Sequence, residues 1–218
     1  MRLVFLAATA AALVAGPALA SIQPGRTEFE VTRNGEPFGR HSVTVSRAGD
    51  GFTAEIAIDL VAKLGPITAF SYRHRCTERW AGAGLMALDC TDQEGRKTQS
   101  ARATREGDRL AIRGSGFTGA LDARMLPSSW WNDDFLTQSS VIDTRTGREM
   151  PLRIRRLGVE SVPSASGQVR ATRYRVEGTL PTDIWYDDAG RWVKLSFTAQ
   201  GQSIVYRKVT PVAGAPRA

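Results

Sequence analysis

Phe52-Thr53-Ala54-Glu55-Ile56-Ala57-Ile58-Asp59-Leu60 puts Phe, Ile, Ile and Leu on one face and Thr, Glu and Asp on the other. Period two is the repeat of a β-strand with one buried and one wet face. Arg170-Ala171-Thr172-Arg173-Tyr174-Arg175-Val176-Glu177 repeats it, with Tyr174 and Val176 inward. Outward from these two segments, Thr27 to Val209 reads as short alternating runs cut by Gly, Asn-Gly and Asp-Gly turn signals. The pattern predicts strands at 27–33, 36–47, 52–63, 67–80, 85–92, 96–106, 109–113, 139–143, 148–162, 168–178, 182–186, 191–199 and 202–209. So many strands without intervening helices must curl or close to protect their edges. The expected fold is all-β: a single strongly curved antiparallel sheet or incomplete β-barrel, with one short helical segment. One domain, 21–218, is expected, ordered over about 27–209.

The exception to the strand pattern is Pro127-Ser128-Ser129-Trp130-Trp131-Asn132-Asp133-Asp134-Phe135-Leu136, which is compatible with a short helix capped by Ser128 or Ser129. It follows a Gly-rich stretch, 114–119, where the chain is expected to leave one half of the sheet. Turn chemistry then sets register. Asn34-Gly35 is a strong two-residue hairpin signal that opposes Val31 and Phe38, but His41, Val43 and Val45 have the other parity. A bulge near Gly39 reconciles the two. Gln200-Gly201 sets Phe197 against Ile204 and Leu195 against Tyr206. A four-residue loop at 187–190 sets Ile184 against Val193 inside, with Asp183 against Lys194 and an exposed pair, Trp185 against Trp192, outside.

The only two cysteines, Cys76 and Cys90, are placed by the same reasoning. If Gly82-Ala83-Gly84 turns the chain, Trp80 faces Met86, Glu78 faces Leu88 and Cys76 faces Cys90. Directly opposed residues lie about 4.5–5.5 Å apart at Cα, which a disulfide can bridge. No Cys-x-x-Cys motif marks a redox-active pair.

The chain opens with Arg2, an apolar run from Leu3 to Val14, the breakers Gly16 and Pro17, and the small residues of Ala18-Leu19-Ala20. That order is expected of a secretory signal peptide, 1–20, cut after Ala20. A periplasmic or secreted location follows, and an exported cysteine pair is a disulfide by default. Ser21 stands where a lipid-anchored protein would carry Cys, and no later stretch is apolar enough to span a bilayer as a helix. With Arg2 removed the formal charge is 28 − 22 = +6, from 29 basic and 22 acidic residues in the full chain. An excess of positive charge suits anionic partners, yet here the charges are scattered singly, as on an ordinary solvated face. Nucleic acid is not an expected partner.

A search for chemistry finds little. His41 and His74 are the only histidines, both inward by parity, and with Glu78 they could hold a metal, but their spacing matches no ligand pattern. Gly114-Ser115-Gly116 lacks the nucleophile elbow. Asp133-Asp134 and Asp187-Asp188 read as turn and cap residues. No catalytic residue, metal or cofactor is assigned, and the chain is not expected to be an enzyme. Trp130 and Trp131, beside Phe135, stand out: an aromatic lid there either packs the core or gates an apolar pocket.

Four motifs carry a resemblance. Phe38-Gly39-Arg40-His41, Glu78-Arg79-Trp80 with Gly84-Leu85, Val141-Ile142-Asp143 with Thr146-Gly147, and Asp183-Ile184-Trp185-Tyr186-Asp187 with Gly190-Arg191-Trp192-Val193 resemble an uncharacterised family of bacterial secreted proteins, over about 25–209. More distantly the pattern is similar to curved-sheet lipoprotein carriers of the LolA/LolB kind, which hold an acyl chain in a concavity closed by helices. This chain departs from those carriers in having one short helical segment. A carrier role does not transfer across that difference, and the family brings no catalytic residues. The expected function is a non-enzymatic envelope protein that binds a lipid, an acyl chain or a lipidated envelope protein in its concavity. The alternatives are an interaction module built on exposed aromatics and arginines and, last, a hydrolase.

Overall fold

The computed structural model describes residues 23–165 and 167–210. The expected signal peptide, 1–20, lies outside the described residues. Fifteen strands follow one another: β1 Gly25–Arg33, β2 Glu36–Ala48, β3 Gly51–Leu64, β4 Ile67–Ala81, β5 Gly84–Glu94, β6 Lys97–Glu106, β7 Arg109–Gly114, β8 Thr118–Asp122, β9 Ser140–Ile142, β10 Glu149–Pro151, β11 Arg153–Ser164, β12 Gly167–Glu177, β13 Thr182–Asp187, β14 Trp192–Ala199 and β15 Gln202–Lys208. Thirteen form one antiparallel sheet in the order β11-β12-β13-β14-β15-β1-β2-β3-β4-β5-β6-β7-β8. β1 pairs on one side with β15 and on the other with β2, so the two halves of the chain meet in mid-sheet. The sheet curls without closing: β8 and β11 are its edges, and the segment between them, 123–152, carries the small sheet β9–β10. Among the described residues no helix is long and apolar enough to cross a membrane.

The inward parity of the strands β1 to β7 and β12 to β15 supplies the core, including Phe29, Val31, Val43, Ile56, Leu60, Leu85, Leu110, Ile112 and Leu195. The outward parity carries ion pairs such as Arg75–Asp59 and Arg207–Glu30. The strand pattern read from the sequence corresponds closely to the structure. One strand was missed: β8 crosses the end of the Gly-rich stretch, where Gly119 gave no alternation to read. The segment expected as one strand over 148–162 breaks at Leu152 into β10 and β11.

The expected helix within 127–136 is a 3₁₀ turn, Asp133–Thr137, with Asn132 as its cap: the Asn132 side chain accepts from Asp134 N. Ser128 is held elsewhere, with its N–H donating to Ile142 O and its hydroxyl accepting from Thr144 N, so it is not free to cap. Pro127 bridges Ile142 in parallel, which keeps this stretch extended.

The bulge in the first hairpin falls at Phe38, leaving Val31 opposite Gly39. Only glycine fits at 39: its φ is +156°, and a Cβ would lie 2.0 Å from the carbonyl oxygen of Asp59. Phe197 does oppose Ile204, and Leu195 opposes Tyr206. Cys76 opposes Cys90 and the two form a disulfide. Glu78 opposes Leu88 as expected, but a bulge at Met86 turns Trp80 to Leu85 instead.

The β13–β14 hairpin corrects the expected exposed pair Trp185 and Trp192. Asp187 N donates to Arg191 O, and the Asp187 carboxylate accepts from the backbone of Ala189 and Arg191, which shortens the loop to 188–190. Val193 is then extruded as a bulge, so Tyr186 opposes Trp192 and Trp185 opposes Lys194. One added residue exchanges faces. Both tryptophans are buried, on opposite faces. Trp192 stacks inward against Phe29 and Tyr206. Trp185 lies outward under Lys194 and Arg173, whose charges sit 4.2 and 5.2 Å from its ring, and its indole donates to Glu160.

Candidate functional site

The segment 123–152 occupies part of the sheet's concavity. Leu126, Phe135, Val141 and Ile142 are buried in the core, and Phe135 meets Tyr186 and Trp130 edge-on or tilted. Trp131 is tied down: its indole N–H donates to Glu78 Oε2 at 2.8 Å, and Trp80 donates to the same oxygen at 3.1 Å. Glu78 is fully buried with Oε1 unpartnered among the described residues. Burial pushes its carboxyl up to about 7, against the influence of nearby Ser129 and the hydrogen bonds from Trp131 and Trp80, which favour the anion. Of the three gate candidates, then, Phe135 and Trp131 are packing residues. Trp130 alone of the three lines open space.

That space is a cavity of about 490 Å³ between β2–β4 and β14–β15. Ile56, Ile58, Leu60, Phe70, Phe197 and Ile204 give it a largely apolar surface, with polar residues such as Ser128, Thr144 and Gln202 among the rest of the lining. Trp130 closes one side. Its backbone is left-handed, φ +66°, unusual for a bulky side chain, and its carbonyl accepts from the Tyr186 hydroxyl at 2.5 Å. Arg33 stands at the end of β1 beside the Asn34-Gly35 turn, its guanidinium over the Phe38 ring.

A row of opposed residues runs from the cavity floor to β5. His41 on β2 opposes Ile58 on β3, Ile58 opposes His74 on β4, and His74 opposes Asp92 on β5. His74 Nδ1 lies 3.5 Å from Asp92 Oδ2. Arg145, from the turn of the β9–β10 hairpin, reaches Asp92 at 3.3 Å and Glu94 and Gln99 at 3.4 Å. That turn is held by Asp143, which accepts from Arg145 N and Thr146 Oγ1. It sits so close to β7 that a Cβ on Gly114 would lie 2.2 Å from Thr146 O. Burial works to raise the Asp92 carboxyl, but hydrogen bonds from His74 and Tyr72 and the charge of Arg145 outweigh it and hold it low. Burial, with the charge of Asp92, pushes the Tyr72 hydroxyl far up, so it stays protonated.

His41 is different. It is 2% exposed, walled by Trp192 and Tyr206, and neither ring nitrogen has a hydrogen-bond partner among the described residues. Burial, helped by His74, lowers it to about 3, so it is a neutral imidazole at any ordinary pH. Its inward direction was legible from parity; its lack of a partner was not.

His41, His74 and Glu78 do not converge: among the described residues the one group within metal-ligating reach is His74 with Cys76 and Cys90. Both sulfurs there are committed to the disulfide. Sequence reasoning missed Tyr72, Asp92 and Arg145. The Cys76–Cys90 register, extended by two residues, already opposes His74 to Asp92, and that signal was available.

Comparison with known proteins adds the family. A domain of unknown function, DUF6134, matches residues 29–209. The chain belongs to this family. The fold is similar to the crystal structure of a β-barrel-like protein of another domain of unknown function, DUF1849, from Brucella abortus. That match has a TM-score of 0.63 at 9% identity, and covers 86% of this chain and 96% of that one. At that identity the likeness is one of fold. No curated protein matches. These matches place the chain in a domain family of unknown function, with a fold similar to that of a β-barrel-like protein, and lend no support to the likeness to LolA/LolB-type carriers.

Proposed function

We propose that this protein is a non-enzymatic binder of a hydrophobic small ligand, working in the bacterial envelope after export through residues 1–20. The observation that carries this reading is the apolar cavity of about 490 Å³ left between β2–β4 and β14–β15. Small-molecule sites are typically mostly apolar clefts of about 300–1,000 Å³ with a few convergent polar groups. The walls named above, with His41, Tyr72 and His74 among the lining residues, have that composition. The reading as an interaction module relied on exposed aromatics, and Trp185 and Trp192 are buried. A hydrolase would need a nucleophile beside a base, and Ser115, the candidate weighed in the sequence, has its Oγ engaged as an acceptor from Ser100 N.

The test is direct. The full chain, with its leader, is expressed in a Gram-negative host, purified from the periplasm and analysed by native mass spectrometry and organic extraction. A co-purifying apolar species, and a thermal upshift when it is added back, are the expected results. A ligand at a hundred times its dissociation constant stabilises the fold by about 2.7 kcal/mol. Ligand-free protein that shows no thermal shift with any phospholipid, fatty acid or long-chain alcohol contradicts the proposal.

A further inference from the structure

We infer that the cavity takes an uncharged amphiphile, a single apolar chain ending in a hydroxyl, and that His41 is the residue that recognises the hydroxyl. This rests on the reading of the cavity as a ligand site and adds the chemistry of the ligand's head.

A neutral imidazole carries one donor and one acceptor. Burying both without a partner costs free energy, and most such groups in folded proteins are satisfied. His41 is not, although its ring is part of the cavity lining. Its ring cannot turn to the backbone of its own strand pair, because His41 sits in regular register with Phe29 and Ile58. A ligand hydroxyl offers what is missing, since one oxygen both donates and accepts.

The charges around the cavity decide against a charged head. Arg145, the cation at the inner end, is already shared between Asp92 and Glu94. Asp92 is buried and ionised on the same row as His41. A carboxylate brought to His41 would be a buried charge beside an imidazole that does not protonate. An ammonium would reach Asp92 only by displacing Arg145 or His74, and would leave His41 unpaired. Arg33 is the remaining cation of the lining, but it stands at the strand end. A fatty acid held there would set its apolar tail against His41 and leave both ring nitrogens unsatisfied. Only an uncharged head satisfies His41 without adding a buried charge. The volume suits one chain.

The test compares ligands that share a chain and differ in head. Purified, delipidated protein is titrated with 1-dodecanol, farnesol, dodecanoate and dodecylamine, by displacement of a fluorescent apolar probe. Both alcohols are expected to bind at least fivefold more tightly than the acid or the amine. In His41→Leu the advantage of the alcohols is expected to collapse to below twofold, with apolar probe binding retained. That variant should fold, since it replaces an unsatisfied buried polar ring by an apolar side chain. Should it not fold, the ranking of head groups in the wild type decides alone. Dodecanoate binding as tightly as dodecanol, or a His41→Leu variant with an unchanged ranking, overturns the inference while leaving the cavity a ligand site. If neither the probe nor any of the four ligands binds, the reading of the cavity as a ligand site falls, and this inference with it.

Discussion

Two ends of one concavity are built from the same strands and finished differently. Toward β5–β7 the inward residues Leu88, Ala103, Leu110 and Ile112 are small or aliphatic, and the segment 123–152 fills the space above with Leu126, Phe135, Val141 and Ile142. Toward β2–β4 and β14–β15 the inward residues are just as apolar, but the same segment only walls the space, with Trp130 and Arg145 among its lining residues, and a cavity of about 490 Å³ is left. A buried polar side chain at each end shows the contrast, with opposite results. Glu78, at the filled end, is gripped by two indoles from the sheet and the overlying segment. His41, at the open end, has no hydrogen-bond partner among the described residues. The alternation of a strand therefore decides what faces inward. Whether that face is packed or open depends on what the chain lays across it.

This contrast should be easiest to break at Phe135. It is 1% exposed and surrounded by Trp130 and Tyr186, so Phe135→Ala should cost about 3–5 kcal/mol, the usual range for a buried aromatic. Phe70 is also aromatic and packs on Phe38, but one side of it faces the cavity. Phe70→Ala should cost less than half as much, because there is less packing to lose. Equal losses in denaturant melts would erase the distinction between the two ends.

The Glu78 latch gives a smaller effect with a definite pH dependence. Its folded value, about 7, is raised above the ordinary 4.5. A raised acid binds its proton more tightly in the folded state, so its contribution is fully present below about pH 4.5 and lost as pH rises to 7. Above that, wild-type protein should be less stable than Glu78→Gln by about 3 kcal/mol relative to the difference at pH 4. Melts of the pair from pH 4 to 9 check this, and a constant difference across the range would mean that Glu78 does not titrate as described.

How much of this was legible beforehand follows from range. Strands were readable because period two and the Asn34-Gly35 and Gln200-Gly201 turns are local signals. The disulfide was readable because one turn fixed the register of its hairpin. The β13–β14 hairpin failed at a single step: the Asp187 carboxylate caps its own loop and Val193 bulges, and neither shows in an alternation of Ile184, Trp185 and Tyr186. The gate was partly legible. An aromatic cluster at 130–135 stood out, but only a partner 53 residues away, Glu78, separates Trp131 as an anchor from Trp130 as a wall. Arg145 was out of reach for the same reason, since Asp92 and Arg145 meet only through the tertiary fold.

The central claim, that one end of the concavity is open and holds the ligand, is tested most directly by filling it. Ile58 lies mid-row on the cavity floor between His41 and His74. Ile58→Trp should insert its ring into the cavity, keep or raise the melting temperature, and abolish binding of an apolar fluorescent probe. The matching change at the filled end, Ala103→Trp, should destabilise the fold by about 1–3 kcal/mol or more, because no space awaits the ring. If Ile58→Trp is destabilised as severely as Ala103→Trp, or binds the probe as well as wild type, the open cavity is not where the ligand goes.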